Sequence, residues 1–444
     1  MCPKCKEFGT LEKKTPETTK DVGLKGTRKA SAVNRPAQRL SRIDPRTVSH
    51  EPIGISELDR VLGGGLVPGG AILMAGEPGV GKSTLLLAAA DKIASSGKTV
   101  LYASGEETEN QIKLRAIRTG ANSEELYVTA ENDLSVVLGH IESLEPDFVI
   151  VDSIQTLASP DIDSRAGGVA QTVEVASALS RTAKEKGFPI VLVGQATKNN
   201  ELAGPRTVEH LVDTVLWFEG DKNTTLRLLR SVKNRFGPAD EVGCFAQTET
   251  GIEEVTDPSG LFLGRRDTPI PGTCVTVVIE GRRALLAEIQ ALVTPTSLPV
   301  PRRQSTGLDN SRAGMVQAVV QQHAKLPLHN KDVFVATVGG MKIVEPVADL
   351  ALVLSIISAV EERPIASHVV ALGEVSLSGE IRNVSEIRRR VTEAGRLGFT
   401  AALVPPGTSE LLNLDRGVRH NGVSIIEVGH VVDAVRAVGS MKTD

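Results

Sequence analysis

The sequence predicts an α/β fold in two parts, a larger unit on a mainly parallel sheet and a smaller α/β unit after it. The first observation is Gly76-Glu-Pro-Gly-Val-Gly-Lys-Ser83, a glycine loop set between the apolar run Ala71–Ala75 and the Leu/Ala-rich stretch Thr84–Ala94. Strand, glycine loop and helix in that order are the context of a phosphate-binding loop. The second is an alternation of short apolar strands with helical segments from Ile53 to about Gln290, which implies a parallel sheet with covered faces. The third is a further alternation after residue 312.

Taken in order, the strands expected in the larger unit are Val100–Ala103, Phe148–Val151, Ile190–Val193, Thr214–Phe218 and Leu226–Val232. Helical segments lie around Glu109–Arg118, Leu134–Ser143 and Val169–Lys186. Residues 292–312 are rich in Pro, Ser and Thr and read as a linker. Beyond it the expected elements are helix Ala313–Ala324, strand Val333–Val338, helix Pro346–Ala359, strand His368–Leu372, helix Glu386–Leu397 and strand Ala401–Val404. The expected domains are therefore 49–291 and 313–444, joined by 292–312. Ahead of them, residues 6–48 read as a basic flexible tether: residues 6–50 carry eleven Lys/Arg against five Asp/Glu, a net +6, with few large apolar side chains to bury.

Composition narrows the function classes. A net charge of −4 argues against a protein coated in basic charge, so any nucleic-acid contact must come from local patches. Aromatics are only 3% of the chain, with a single Trp, which disfavours recognition by base stacking. Four cysteines (Cys2, Cys5, Cys244, Cys274) are too few and too scattered for a disulfide scaffold, and a cytoplasmic location is expected. No apolar run is long enough for a membrane span.

The loop dictates the chemistry. Gly76, Gly79 and Gly81, with Glu77, Pro78 and Val80 between them, offer backbone N–H groups to phosphate oxygens, and Thr84 opens the following helix. Lys82 would reach the β- and γ-phosphates of a bound nucleoside triphosphate, and the Ser83 hydroxyl would hold Mg²⁺. Phe148-Val-Ile-Val-Asp152 is an apolar strand ending in an acid, placing Asp152 beside the loop as a second Mg²⁺ holder. Glu106, at the end of another strand, is the candidate to activate the attacking water, with Glu107 next to it. Gln195, closing Val191-Leu-Val-Gly-Gln, stands where a γ-phosphate sensor belongs.

These pieces resemble the RecA-like ATPase core, and their detail resembles the RadA (Sms) family of bacterial DNA-repair proteins. The motifs are Ile53-Gly-Ile-Ser-Glu-Leu-Asp-Arg-Val-Leu-Gly-Gly-Gly-Leu-Val-Pro-Gly-Gly70, Tyr102-Ala-Ser-Gly-Glu-Glu107, Asp152-Ser-Ile-Gln-Thr156 and Lys233-Asn-Arg-Phe-Gly237, and the likeness runs from about residue 47 to the C-terminus. One departure is Gln195, where most members carry His; Gln there resembles RecA itself.

The resemblance implies a DNA-dependent ATPase of recombinational repair, acting as a homo-hexameric ring on single-stranded and branched DNA with the RecA recombinase. A regulatory RecA-fold ATPase and an ATP-assembled mediator without translocation are the alternatives. Two cations around Asn234, with Phe236 to pin the loop and Gly237 to turn it, suit phosphate recognition. In the family that loop couples ATP binding to DNA binding, so Lys233 and Arg235 are candidates to touch DNA or a neighbouring subunit's γ-phosphate.

Family members also carry two Cys-x-x-Cys pairs; here only Cys2-Pro-Lys-Cys5 is present, half of the four ligands a structural Zn²⁺ site needs. Cys244 and Cys274 read as buried small hydrophobes.

Gly339-Gly-Met-Lys-Ile-Val-Glu-Pro-Val-Ala-Asp349 and Gly373-Glu-Val-Ser-Leu-Ser-Gly-Glu-Ile-Arg382 resemble the Lon protease domain. The nucleophile position of that family falls on Val347 and its lysine base on Arg388. Valine has no nucleophilic atom and arginine stays protonated, so no peptidase is expected. Arg382, Arg388, Arg389 and Arg390 remain as a local basic surface and a candidate DNA contact.

Overall fold

In the first sheet the apolar runs are apolar on both faces, because both faces are covered. The computed structural model describes residues 39, 49–195, 207–220, 225–264, 268–414 and 419–439. The strands of this sheet are β1 (Ala71–Gly76), β2 (Val100–Ser104), β3 (Leu126–Ala130), β4 (Phe148–Asp152), β5 (Ile190–Gln195), β6 (Thr214–Gly220), β7 (Leu226–Asn234), β8 (Val242–Gln247) and β9 (Ile252–Glu254). They lie in the order β3-β2-β4-β5-β1-β6-β7-β8-β9, parallel from β3 to β6 and antiparallel beyond. The helices are α1 (Ser56–Leu62), α2 (Lys82–Ala94), α3 (Glu109–Thr119), α4 (Leu134–Leu144) and α5 (Val169–Lys186).

Alternate side chains of each strand feed two separate cores. Ile72, Met74, Tyr102 and Ile150 pack with residues of α2 and α3. Their neighbours Leu73, Leu101, Val149 and Val151 point the other way, onto α4 and α5. The five later strands expected from sequence are all present, each one or two residues longer than its apolar run.

A second, smaller α/β domain follows. It contains α6 (Ser259–Phe262), β10 (Thr273–Glu280), β11 (Arg283–Pro295), β12 (Arg303–Thr306), α7 (Asn310–His323), β13 (Lys331–Thr337), α8 (Asp349–Glu361), β14 (Val369–Ala371), β15 (Glu374–Val375), β16 (Ile381–Arg382), α9 (Ile387–Arg396), β17 (Ala401–Val404), α10 (Thr408–Leu411), β18 (Arg419–His420), β19 (Val423–Glu427) and α11 (Val431–Gly439). Its main sheet runs β12-β13-β11-β10-β14-β17-β19-β18, with β15 and β16 forming a separate hairpin.

The domain boundary differs from the sequence expectation. β10 and β11 pair with each other and with β13 and β14, so residues 273–291 belong to the second sheet and not to the first. The second core likewise begins at Phe262. Residues 292–312 are not a linker either: β11 continues to Pro295, and Arg303–Thr306 pairs in parallel with β13. A polar strand at a sheet edge needs no apolar face to be held, so its composition reads as loop. The turn between β10 and β11 docks on the first domain, where Arg230 pairs with Glu280 at 2.8 Å and Arg283 pairs with the buried Glu57.

Cys244 and Cys274 are buried free thiols, pushed by burial to about 11 and about 12. Among the described residues no helix is long and apolar enough to cross a membrane. Cys2, Cys5 and the basic tether lie outside the described residues, apart from Arg39.

Candidate active site

The carboxyl ends of β1, β5, β4 and β2 lie along one edge of the sheet, with β1 and β5 running two residues past the ends of β4 and β2. Gly76 pairs with Gln195, Val193 with Asp152, and Asp152 with Ser104. Each candidate sits where an apolar strand stops, so the strand register sets their spacing. β5 stands between β1 and β4, which puts Gln195 next to the glycine loop and Asp152 one strand further out.

α2 begins at Lys82, and its N-cap residue Gly81 has φ 108°, a left-handed conformation that favours glycine. No side chain caps this helix end. Its first-turn N–H groups and positive dipole end are therefore open to an anion. Lys82 is only 7% exposed and donates to the carbonyls of Gly76 at 2.8 Å and Glu77 at 3.0 Å. Burial lowers its pKa, while the charges of Asp152 and Glu106 oppose that shift. Ser83 follows it, half-buried in the first turn.

Asp152 is 5% exposed, and the buried phenol of Tyr102 donates to its Oδ2 at 2.6 Å. Burial and the Asp152 charge push the Tyr102 phenol well above its ordinary range, so it stays a proton donor. The Tyr102 bond engages Oδ2, so Oδ1 would be the oxygen to face a metal's water if Mg²⁺ were bound beside the loop. Among the described residues no group of three His, Cys, Asp or Glu could hold a metal ion by itself. One hydroxyl and one carboxylate beside a phosphate loop fit Mg²⁺, which is commonly held by one or two protein ligands, waters and substrate phosphates.

Glu106 and Glu107 are separated by their partners. Glu106 Oε1 accepts from the Ser153 hydroxyl at 2.5 Å and from Gln195 Nε2 at 2.8 Å. Glu107 pairs with Arg115 at 2.6 Å, and the same guanidinium donates to the Tyr102 hydroxyl at 3.4 Å. Glu106 thus faces the loop's edge together with Gln195, and Glu107 is engaged by α3. Sequence reasoning gave no role to Tyr102, Ser153 or Arg115. The acid-bearing strand ends were legible, but which of them are neighbours depends on the strand order.

Lys233–Gly237 lies elsewhere. Asn234 pairs with Thr214, which is level with Ile72 near the start of β1. From there to Gly76 is roughly 13 Å of strand at about 3.3 Å per residue. Within one chain the two loops therefore occupy opposite edges of the sheet. Lys233 Nζ donates to the carbonyls of Glu209 and Val212, both at 2.7 Å, and Arg235 pairs with the buried Asp213 at 3.1 Å. Asn234 donates to the Leu62 carbonyl and accepts from the Phe236 N–H, while His50 bonds the Phe236 carbonyl. Partial burial and, next, the Arg235 charge lower the Lys233 pKa.

The basic surface expected in the second domain is smaller than its sequence suggests. Arg390 is 0% exposed and forks onto Glu345 at 2.9 and 2.6 Å, so it cannot touch DNA. Arg388 stays exposed and donates to the Leu411 carbonyl, Arg389 pairs with Glu386, and Arg382 with Glu380. Val347, at the Lon nucleophile position, is 1% exposed.

Known proteins align with this chain along most of its length. It is 48% identical to the DNA repair protein RadA of Mycolicibacterium smegmatis over 92% of this chain and 88% of that protein. The same comparison with RadA of Bacillus subtilis gives 42% identity over 98% of this chain and 94% of that protein. The chain belongs to the RadA family of DNA repair proteins. Residues 37–201 of this RadA-family chain match the family model described as an AAA domain, and residues 306–408 match that of subunit ChlI of Mg-chelatase. A crystal structure of the RadB recombinase covers 46% of the chain, at 25% identity and a TM-score of 0.36, and 98% of its own length. The RadA-family fold here is a RecA-like P-loop ATPase domain followed by a smaller Lon-protease-like α/β domain.

Proposed function

We propose that this chain hydrolyses ATP in a DNA-dependent manner and uses the energy to process and branch-migrate recombination intermediates, together with RecA, as a homo-hexameric ring on single-stranded or branched DNA. The observation that carries the reading is the convergence of Lys82, Glu106, Asp152 and Gln195 on one sheet edge, in a chain whose relatives are named DNA repair proteins.

The residues take the following roles. Backbone N–H groups of Gly76–Thr84 and the open end of α2 bind the phosphates, and Lys82 draws in the β- and γ-phosphates. Ser83 and Asp152 would hold Mg²⁺, which would supply positive charge to offset that building on the phosphate oxygens. Glu106 takes a proton from the attacking water as its oxygen bonds to the γ-phosphorus; the bond to the bridging oxygen breaks and its electron pair leaves with ADP. Gln195, on the strand next to the loop, hydrogen-bonds the γ-phosphate. The second domain supplies no catalysis, because neither Val347 nor Arg388 can replace a Ser–Lys pair.

Lys233 and Arg235 act away from their own chain's nucleotide, on DNA or on the ATP of the adjacent subunit. Their place at the sheet edge opposite Gly76 supports this. Arg382, Arg388 and Arg389 are further DNA-contact candidates. Cys2 and Cys5 offer only half of a Zn²⁺ ligand set.

The test is a branch-migration assay on a recombination intermediate, with and without RecA, comparing wild type, Lys233→Ala and a non-hydrolysable ATP analogue. Wild type is expected to move the junction only with hydrolysable ATP, and Lys233→Ala to lose most of that activity. Junction movement with the analogue, or full activity of Lys233→Ala, contradicts the reading. ATP turnover unaffected by DNA would instead favour a regulatory ATPase.

A further inference from the structure

We propose that Ser153 is a positioning residue for ATP hydrolysis: its hydroxyl holds Glu106 in place to take the proton from water. This rests on the reading of Glu106 as the residue that activates the attacking water.

Two donors meet on one oxygen of that carboxylate. Glu106 Oε1 accepts from Ser153 at 2.5 Å and from Gln195 Nε2 at 2.8 Å, which leaves Oε2 for water. The donors differ in surroundings. Ser153 is 1% exposed, whereas Gln195 is exposed and its bond competes with solvent. A charge-assisted hydrogen bond shielded from water is the stronger constraint. The amide of Gln195 has a second task, toward phosphate, and the buried hydroxyl has none.

The loop around Ser153 is braced to keep that hydroxyl still. Its carbonyl accepts from the Thr156 hydroxyl at 2.7 Å and the Thr156 N–H at 3.3 Å. The next residue, Ile154, donates its N–H to Val193 on β5 at 3.0 Å. From the Glu106 side, Gly105 donates its N–H to the Asp152 carbonyl at 3.0 Å. A Cβ on Gly105 would lie 2.3 Å from Thr156 Oγ1, so only glycine lets the loop after β2 come this close to the loop after β4. Serine, threonine and glycine together fix the distance between the carboxylate and its holder.

The experiment is steady-state ATP hydrolysis by the full chain with single-stranded DNA, for wild type, Ser153→Ala, Glu106→Gln and the double variant. Binding of a fluorescent ADP analogue is measured for each. Glu106→Gln is expected to lower kcat by about 100-fold or more, the usual contribution of a general base. Ser153→Ala is expected to lower kcat by about 10-fold, with KM and ADP-analogue binding unchanged within about twofold. In the Glu106→Gln background the same change should have no further effect, because the group it positions is gone.

Wild-type kcat for Ser153→Ala, with Glu106→Gln impaired, overturns this proposal and leaves the reading of Glu106 standing. Equal losses in kcat and nucleotide binding, or a full additional loss in the double variant, overturn it as well, since they mark a merely structural serine. Wild-type turnover by Glu106→Gln removes both.

Discussion

The charges at the glycine-loop edge of the first domain and the ion-paired arginines of the second are held in opposite ways. In the first, Lys82, Asp152 and Glu106 converge on an open edge of the sheet, each held by neutral groups: backbone carbonyls, a phenol, a hydroxyl and an amide. In the second, charge is matched with charge, Arg390 with Glu345 and Arg312 with Asp349. A charge fixed by neutral partners keeps its field for a ligand. One that already forms an ion pair has spent that field inside the fold. The comparison separates a site from a set of struts, although both domains present glycine-rich loops and basic runs in sequence.

Breaking a strut should harm stability before anything else. Arg390→Ala removes the cation paired with Glu345 and leaves that carboxylate the Ile279 N–H, at a cost of about 3 kcal/mol. Chemical denaturation should show this, while Arg388→Ala and Arg389→Ala stay within about 0.5 kcal/mol of wild type. If Arg390→Ala is as stable as Arg388→Ala, the contrast between the domains collapses.

A smaller effect sharpens the other side. Burial lowers the pKa of Lys82 below the ordinary lysine range, and a bound phosphate would raise it again. The proton is then held more tightly in the complex. Nucleotide affinity should be full below the pKa of the free protein's Lys82 and fall as pH rises through it. Titration calorimetry with ADP across the alkaline range where the protein stays folded should find that fall, at most about tenfold per pH unit. Lys82→Met should lack it. Affinity that is flat or rising with pH in wild type would mean that Lys82 does not meet phosphate.

Much of the first domain was legible because its strands are continuous apolar runs that end in the residues of interest. Phe148–Asp152 announces both a buried strand and the acid at its tip. Tyr102 and Ser153 were not legible as partners, since nothing local says that β2 lies beside β4. The domain boundary escaped for a related reason: β10 and β11 look like strands of either sheet, and only pairing with β13 and β14 assigns them. Arg390 is a different case. Ile387, Arg390, Val391 and Ala394 are the buried residues of α9 and follow helical spacing, so Arg390 lies on the apolar stripe and not with its exposed neighbour. The triplet of arginines hid that phase.

The most direct test of the account is ATP hydrolysis with and without single-stranded DNA by wild type and Lys82→Ala. Wild type should hydrolyse ATP faster when DNA is added. Lys82→Ala should lose at least about 100-fold of that turnover, as expected on removing a charge that stabilises the transition state, with its circular dichroism unchanged. Turnover by folded Lys82→Ala at the wild-type rate would contradict the claim that the edge after β1 is the catalytic centre.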